Sequence, residues 1–253
     1  MPTTKTKIAF FDFTGCEGCQ LTVIDTLQTC LDLLDAVEIV QFREAMNEQG
    51  EDYQIAFIEG ACTRACDEDR LRTIRAQAEV VVALGACAHL GGVNAIRNRQ
   101  SPAHVSRYVY DTAGKFHESH DVRPIQAVIT VDVVVPGCPI DRDEFVQTVK
   151  LLLQHRRPQL PDFPVCAECK LRENACVVWK GQPCLGSVTR AGCGAICPGY
   201  GQGCLGCRGL ISDPNLNWLE ASLIEHGVEK ESLDVAMRFF LTYPLEVMKN
   251  GHR

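Results

Sequence analysis

The chain of 253 residues has no apolar run long enough to cross a bilayer. The stretch Val80 to Val93 covers only 14 residues and is broken by three glycines, whereas a spanning helix needs about 20 mostly apolar residues. Positive charge is also scarce. The net charge is −7 and the isoelectric point about 5.5, so no basic footprint argues for nucleic acid or an anionic membrane surface. The amino terminus, Met1 to Lys7, is a short polar lead with neither an apolar signal core nor a twin-arginine pair. Repeats and low-complexity tracts are absent, and charged residues at 23% with hydrophobic ones at 46% exclude disorder. The expected compartment is therefore the cytoplasm, with no membrane insertion. Disulfides rarely persist there. The 15 cysteines are an odd number, which excludes a complete disulfide framework and turns attention to metal ligation.

Those cysteines are unevenly spread. Residues 1–160 hold seven, residues 161–210 hold eight, and the last 43 residues hold none. Between the two groups, Arg156 to Pro164 carries three prolines and reads as a linker. Two domains are expected, residues 1–157 and residues 163–253. In the first, strand-like runs alternate with helix-like ones. Lys7 to Phe13, Val37 to Phe42, Gln54 to Ile58, Glu79 to Leu84 and Ala127 to Val135 read as strands. Leu21, Ile24, Leu27, Leu31 and Leu34 make the apolar stripe of a helix over Leu21 to Leu34, and Arg64 to Ala78 is a second helix. Asp141 caps a third, to Gln154, with Glu144 completing a capping box and Phe145, Val149, Leu152 and Leu153 as its stripe. This alternation predicts an α/β domain, a flavodoxin-like doubly wound parallel sheet. Residues 163–210 lack a continuous apolar face, so this smaller, irregular domain needs bound metal for cohesion. Leu216 to His226 and Glu231 to Phe240 read as helices closing the chain.

In open α/β sheets, ligands bind beyond the carboxyl ends of the strands. Three strands end in cysteine there: the first runs into Cys16 and Cys19, the fourth into Gly85-Ala86-Cys87, the fifth into Pro136-Gly137-Cys138-Pro139. Glycine beside each permits the close approach that a compact site demands. Four thiolates at one rim suit a zinc ion or a [4Fe–4S] cluster. The second domain carries Cys166-x2-Cys169-x6-Cys176-x7-Cys184 and then Cys193-x3-Cys197-x6-Cys204-x2-Cys207. Eight cysteines divide into two fours. Three four-cysteine sites in one acidic chain match an electron relay, because iron–sulfur clusters bring redox chemistry and zinc brings none. A zinc-stapled structural or interaction module, and an iron–sulfur relay serving another oxidoreductase, remain the alternatives.

Over nearly its whole length the chain resembles the small, electron-transfer subunit of [NiFe] hydrogenases. The resemblance is carried by Cys16-Glu17-Gly18-Cys19, Gly85-Ala86-Cys87 and Pro136-Gly137-Cys138-Pro139, and by Cys184 to Cys193 and Cys204-Leu205-Gly206-Cys207. It implies a proximal [4Fe–4S] cluster on Cys16, Cys19, Cys87 and Cys138, facing a separate nickel–iron large subunit. It implies a distal [4Fe–4S] cluster on Cys166, Cys169, Cys176 and Cys184, with Cys166 standing where periplasmic relatives have histidine. Cys197 offers a fourth thiolate beside Cys193, Cys204 and Cys207, so the medial cluster is expected to be [4Fe–4S] as well. These departures point to the cytoplasmic, heteromultimeric branch, of the sulfhydrogenase or F420 type. There a flavin/NAD(P)-type, F420-type or other iron–sulfur subunit accepts the electrons. The chain alone is not expected to be catalytic.

Several residues near these motifs invite a role. Glu59, after the third strand, points at the proximal rim and is read chiefly as a carboxylate hydrogen-bonded around that site. Glu17 lies between two ligands and His89 two residues after Cys87, both read as supporting groups. Cys30 is read as core within the first helix, and Cys62 and Cys66 as ordinary thiols near the rim. Trp179 and Tyr200 are expected to pack against the clusters. Phe239, Phe240 and Tyr243 are expected on packing or docking surface.

Overall fold

The computed structural model describes residues 5–111 and 119–251, so the first four residues of the polar lead lie outside it. Five strands form one sheet: β1 (Thr6–Asp12), β2 (Val37–Phe42), β3 (Ile55–Glu59), β4 (Val80–Leu84) and β5 (Val133–Val135). Their order is β2-β1-β3-β4-β5 and every pairing is parallel. That is the flavodoxin-like order, in which the chain switches sides of the sheet at β1 and β3. Both faces are covered, so the inner strands are mainly apolar and β3 is buried at all five positions, its closing Glu59 included. On one face Phe10 stacks between Phe42 and Phe57, with ring centroids 4.4 and 4.9 Å away, and Phe145, Val23 and Val149 close the core. On the other, Phe11, Ile58 and Val81 meet Leu71 and Ile74 of α3 (Ala65–Gln77).

The first helical run departs from its pattern. It forms α1 (Gly18–Thr29) and α2 (Leu31–Ala36), broken at Cys30 with φ −118° and ψ 61°. The hydroxyls of Thr22 and Thr26 bond back to the carbonyls of Gly18 and Thr22, and that of Thr29 to the Thr26 carbonyl. Such bonds compete with the helix ladder and bend it. The buried face is Cys19, Gln20, Val23 and Thr26, while Leu21, Leu31 and Leu34 are exposed. The anchoring of Cys19 and Gln20 at the rim, described below, sets this rotation against the leucine stripe. Cys30 is accordingly half-buried at the break, where it packs on the core from outside the helices.

The fifth strand is also shorter than its apolar run. After Pro124 the chain makes a 3-10 turn over Ile125–Ala127, and Val128 is in the α region. Ile125 and Ile129 fill the second core from this compact path. Asp132 then joins β4, its N–H donating to the Val81 carbonyl and its carboxylate accepting from the Val81 N–H at 2.9 Å.

Between β4 and β5 lie α4 (Gly85–Leu90), a 3-10 helix (Val93–Arg99) and α5 (Pro102–Tyr110). The helix α6 (Arg142–Leu153) begins as its cap predicts, with the Asp141 carboxylate accepting from the Glu144 N–H at 2.9 Å. Beyond it come α7 (Val165–Leu171), α8 (Ile196–Gly199), α9 (Leu216–Glu225) and α10 (Lys230–Gly251). The last runs through Pro244 and is longer than its periodicity suggests. By internal contacts the chain divides into two compact units, Met1–Pro158 and Gln159–Arg253.

Candidate metal centres

The carboxyl ends of β1, β4 and β5 bring Cys16, Cys19, Cys87 and Cys138 together. Three of these thiols feel neighbours in the set: Cys19 senses Cys138 and Cys87, Cys87 senses Cys138 and Cys16, and Cys138 senses Cys16. Gly85 starts α4 at φ +82°, and a Cβ there would stand 2.4 Å from the Cys19 sulfur, so only glycine admits this approach. Burial, reinforced by the like-charged neighbours, pushes the Cys87 thiol up to about 12. The same cause raises Cys19 and Cys138. Thiols held neutral in this way become thiolates when a bound cation compensates them.

Glu59 is 3% exposed at the end of β3. Its Oε1 accepts from the Cys19 N–H at 3.2 Å and its Oε2 from the Gln20 N–H at 2.8 Å. It thus caps the first turn of α1 from another strand. Burial raises its carboxyl above the ordinary range, against the pull of those two bonds. Glu17 takes φ +61° ahead of α1 and pairs with Arg43 at 3.5 Å. His89 is half-buried on α4. The sequence reading missed Asn94, whose Nδ2 donates to the Thr14 carbonyl at 3.1 Å and to the Cys87 sulfur at 3.6 Å.

In the second unit, Cys166, Cys169, Cys176 and Cys184 line one cavity of about 320 Å³, walled by Trp179, Trp218, Leu219 and Leu223. Burial, then the neighbouring thiols, push Cys166 up to about 11. Gly186 passes close behind, where a Cβ would sit 3.3 Å from the Cys166 sulfur and 3.5 Å from that of Cys184. The other four cysteines neighbour one another in pairs, Cys193 with Cys197 and Cys204 with Cys207. Cys204 and Cys193 pack in one cluster with Val165 and Ala195, and the Cys204 N–H donates to the Cys184 sulfur at 3.3 Å. Arg208, next to Cys207, was also missed. It is 1% exposed, and its Nε donates to the Ala191 carbonyl at 2.8 Å. The two aromatic residues differ from expectation. Trp179 edges the cavity yet is 79% exposed, and Tyr200 is 84% exposed. Phe240 is buried and Phe239 half-exposed on α10.

The three remaining cysteines stand apart. Cys66 is exposed in the first turn of α3. Cys62 is fully buried, and its sulfur reaches the Arg64 carbonyl at 3.8 Å. Ligand atoms of Cys62, Glu68 and His120 come within 4.8 Å of one another. Glu68 is nonetheless already paired with Arg123 and, at 2.7 Å, with Arg72. Guanidinium groups stand where a metal's charge would act.

A set of four thiols suits a tetrahedral zinc ion or a [4Fe–4S] cluster, and the cavity beside Cys166, Cys169, Cys176 and Cys184 is walled largely by apolar side chains. No helix among the described residues is long and apolar enough to cross a membrane.

Residues 16–152 match the protein family described as NADH ubiquinone oxidoreductase, 20 kDa subunit. The chain is 37% identical over 212 residues to sulfhydrogenase 2 subunit delta of Pyrococcus furiosus, covering 83% of this chain and 89% of that protein. It is 30% identical over 241 residues to a subunit of the vhu F420-non-reducing hydrogenase of Methanococcus voltae, covering 83% of this chain and 84% of the relative. Among solved structures, a chain of an NAD+-reducing [NiFe]-hydrogenase in the H2-reduced state superposes with a TM-score of 0.55 at 29% identity. That match covers 62% of this chain and 96% of the other.

Proposed function

Because the chain belongs to the NADH ubiquinone oxidoreductase 20 kDa subunit family and is a [NiFe] hydrogenase small subunit within it, we propose that it relays electrons through three [4Fe–4S] clusters in a cytoplasmic hydrogenase. Such clusters, when bound, store and pass single electrons at potentials set by their protein surroundings. Cys16, Cys19, Cys87 and Cys138 are the proximal ligands in this reading. Cys193, Cys197, Cys204 and Cys207 are the medial ligands, and Cys166, Cys169, Cys176 and Cys184 the distal ones. H2 is split on the large subunit, so no side chain here acts as nucleophile or general base. The chain's own work is to bind the clusters, bury them and tune them. The electron acceptor is a flavin-bearing diaphorase-type or other iron–sulfur subunit, in keeping with the sulfhydrogenase and F420-non-reducing hydrogenase names of the two relatives.

The observation that supports this reading is the convergence of Cys16, Cys19, Cys87 and Cys138 at the carboxyl ends of three parallel strands, in a chain 37% identical over 212 residues to a sulfhydrogenase subunit. The test is anaerobic purification of the intact complex with metal analysis and EPR spectroscopy. About twelve irons per chain, four for each cluster, with matching sulfide, a nickel-bearing partner and signals on dithionite reduction are expected. A colourless, EPR-silent protein with stoichiometric zinc would overturn the relay. Iron–sulfur signals without a nickel partner would move the relay to another oxidoreductase.

A further inference from the structure

We propose that Asn94 is a positioning residue for the cluster assigned to Cys16, Cys19, Cys87 and Cys138, and that its hydrogen bond to the Cys87 sulfur raises that cluster's reduction potential. The inference rests on the ligand set proposed above, and it starts from how the chain leaves α4. Gly91 and Gly92 follow that helix at φ +81° and +56°. A Cβ on Gly92 would stand 2.9 Å from the Cys87 sulfur and 3.0 Å from the Cys87 Cα. The two glycines therefore fold the backbone directly over the thiol, where a side chain would collide with it. The 3-10 helix that follows, Val93–Arg99, then delivers Asn94 back to Cys87, seven positions earlier in the chain.

The amide's orientation is dictated by its partners. Its Nδ2 lies 3.1 Å from a carbonyl oxygen, that of Thr14, which accepts and never donates. The nitrogen must face this side, and its second hydrogen is free for the Cys87 sulfur at 3.6 Å. Thr14 is itself fixed, by paired backbone bonds with Ala61 at 2.8 and 3.1 Å and by a hydroxyl contact with Thr63 at 2.7 Å. One neutral side chain thus ties the loop carrying Cys16 to the helix carrying Cys87. A donor aimed at a ligand sulfur withdraws electron density from it and favours the reduced, more negative cluster. The amide does not titrate, so its effect persists at every working pH.

Asn98 is the internal comparator. It lies one turn along the same 3-10 helix, but its amide spans the Val122 N–H and carbonyl, each at 2.8 Å. Its loss loosens the fold without removing a donor from sulfur. The test is an anaerobic EPR redox titration of the intact complex carrying N94A, N94D, N98A or C87S. C87S reports on the ligand assignment: all cluster signals unchanged there overturn the assignment itself. With that assignment intact, N94A is expected to lower the midpoint of one cluster and leave the others in place. N94D is expected to lower it further, because a carboxylate donates nothing and adds negative charge. N98A is expected to leave every midpoint unchanged. An unshifted midpoint in N94A with full iron content overturns the proposal, as does an equal shift in N98A. If N94A loses the cluster altogether, Asn94→Gln and Asn94→Ser decide. Both retain a donor, and a midpoint equal to wild type in each, set beside a lowered one in N94D, supports the proposal. Lowering by equal amounts in all three overturns it.

Discussion

Glu59 shows how one side chain can organise a site at the residue scale. Its carboxylate is the acceptor for two buried N–H groups at the start of α1, on the turn that holds Cys19. Removing it strands both donors, and a buried donor without an acceptor costs about 1–3 kcal/mol. E59A is expected to lower the melting temperature of the complex by several degrees (about 2–4 °C per kcal/mol for a chain of this size), followed by differential scanning fluorimetry under argon. E59Q, which keeps one acceptor, should fall between E59A and wild type. The raised thiols carry a pH consequence. Cys87 and Cys166 hold their protons up to about 12 and about 11, so a metal must displace protons to bind. Cobalt binding by the cluster-free chain should therefore release protons and tighten as the pH rises from 6 to 8, read by absorbance and a pH indicator. Affinity that falls with pH would contradict this. Cys30, Cys62 and Cys66 lie outside the three groups of four, and their alanine variants should keep full iron content. Of the three, only C62A should cost stability, because Cys62 alone is fully buried.

At the scale of elements, the readable signals were the local ones. Asp141 starts α6 through a bond spanning three residues, and its apolar stripe faces the core as its spacing requires. The α1 stripe misled because the choice of buried face was made elsewhere. Glu59, 40 residues downstream of Cys19, pins the first turn, and the leucines turn outward. The run leading into β5 misled for a related reason: Ile125 and Ile129 reach the core from a 3-10 turn and the residues just after it, so the extended part shrinks to Val133–Val135. Close packing of elements gives a sharp test at Gly85, where β4 meets α4. G85A would place a methyl 2.4 Å from the Cys19 sulfur on a backbone at φ +82°. Loss of one cluster's EPR signal with the other two retained is expected, and undiminished iron content would refute this reading of the junction. At the start of α3, Asp67 accepts from the N–H groups of Thr63 and Arg64 at 3.1 and 3.0 Å while its other oxygen takes the Arg64 guanidinium. D67A should destabilise by about 1–3 kcal/mol, measured as a melting shift, with the cluster potentials unchanged.

At the scale of the whole molecule, the two units draw cohesion from different sources. Met1–Pro158 buries both faces of a sheet in extended apolar clusters. In Gln159–Arg253, four of the proposed ligands line a cavity, and thiols share a small cluster with Val165 and Ala195. Bound metal contributes directly to folding in such segments. Removing iron with a chelator should open residues 163–210 to protease while the peptides of β1, β3 and β4 stay protected. Mass spectrometry of the fragments checks this, and equal protection of both regions would contradict it.

What the sequence determined by itself was the grammar of the chain. Alternating apolar runs required a parallel α/β layer, because strands buried on both faces are apolar throughout, and glycine-flanked cysteines after three strands were directed to one rim by the topology of such sheets. The grouping of the cysteines rested on spacing and resemblance. Tertiary structure alone decided what meets what across the chain: Glu59 on the first turn of α1, Asn94 on the Cys87 sulfur, and a guanidinium buried beside Cys207. None of these leaves a periodic trace, because each depends on a hydrogen bond or a burial created only when distant segments pack.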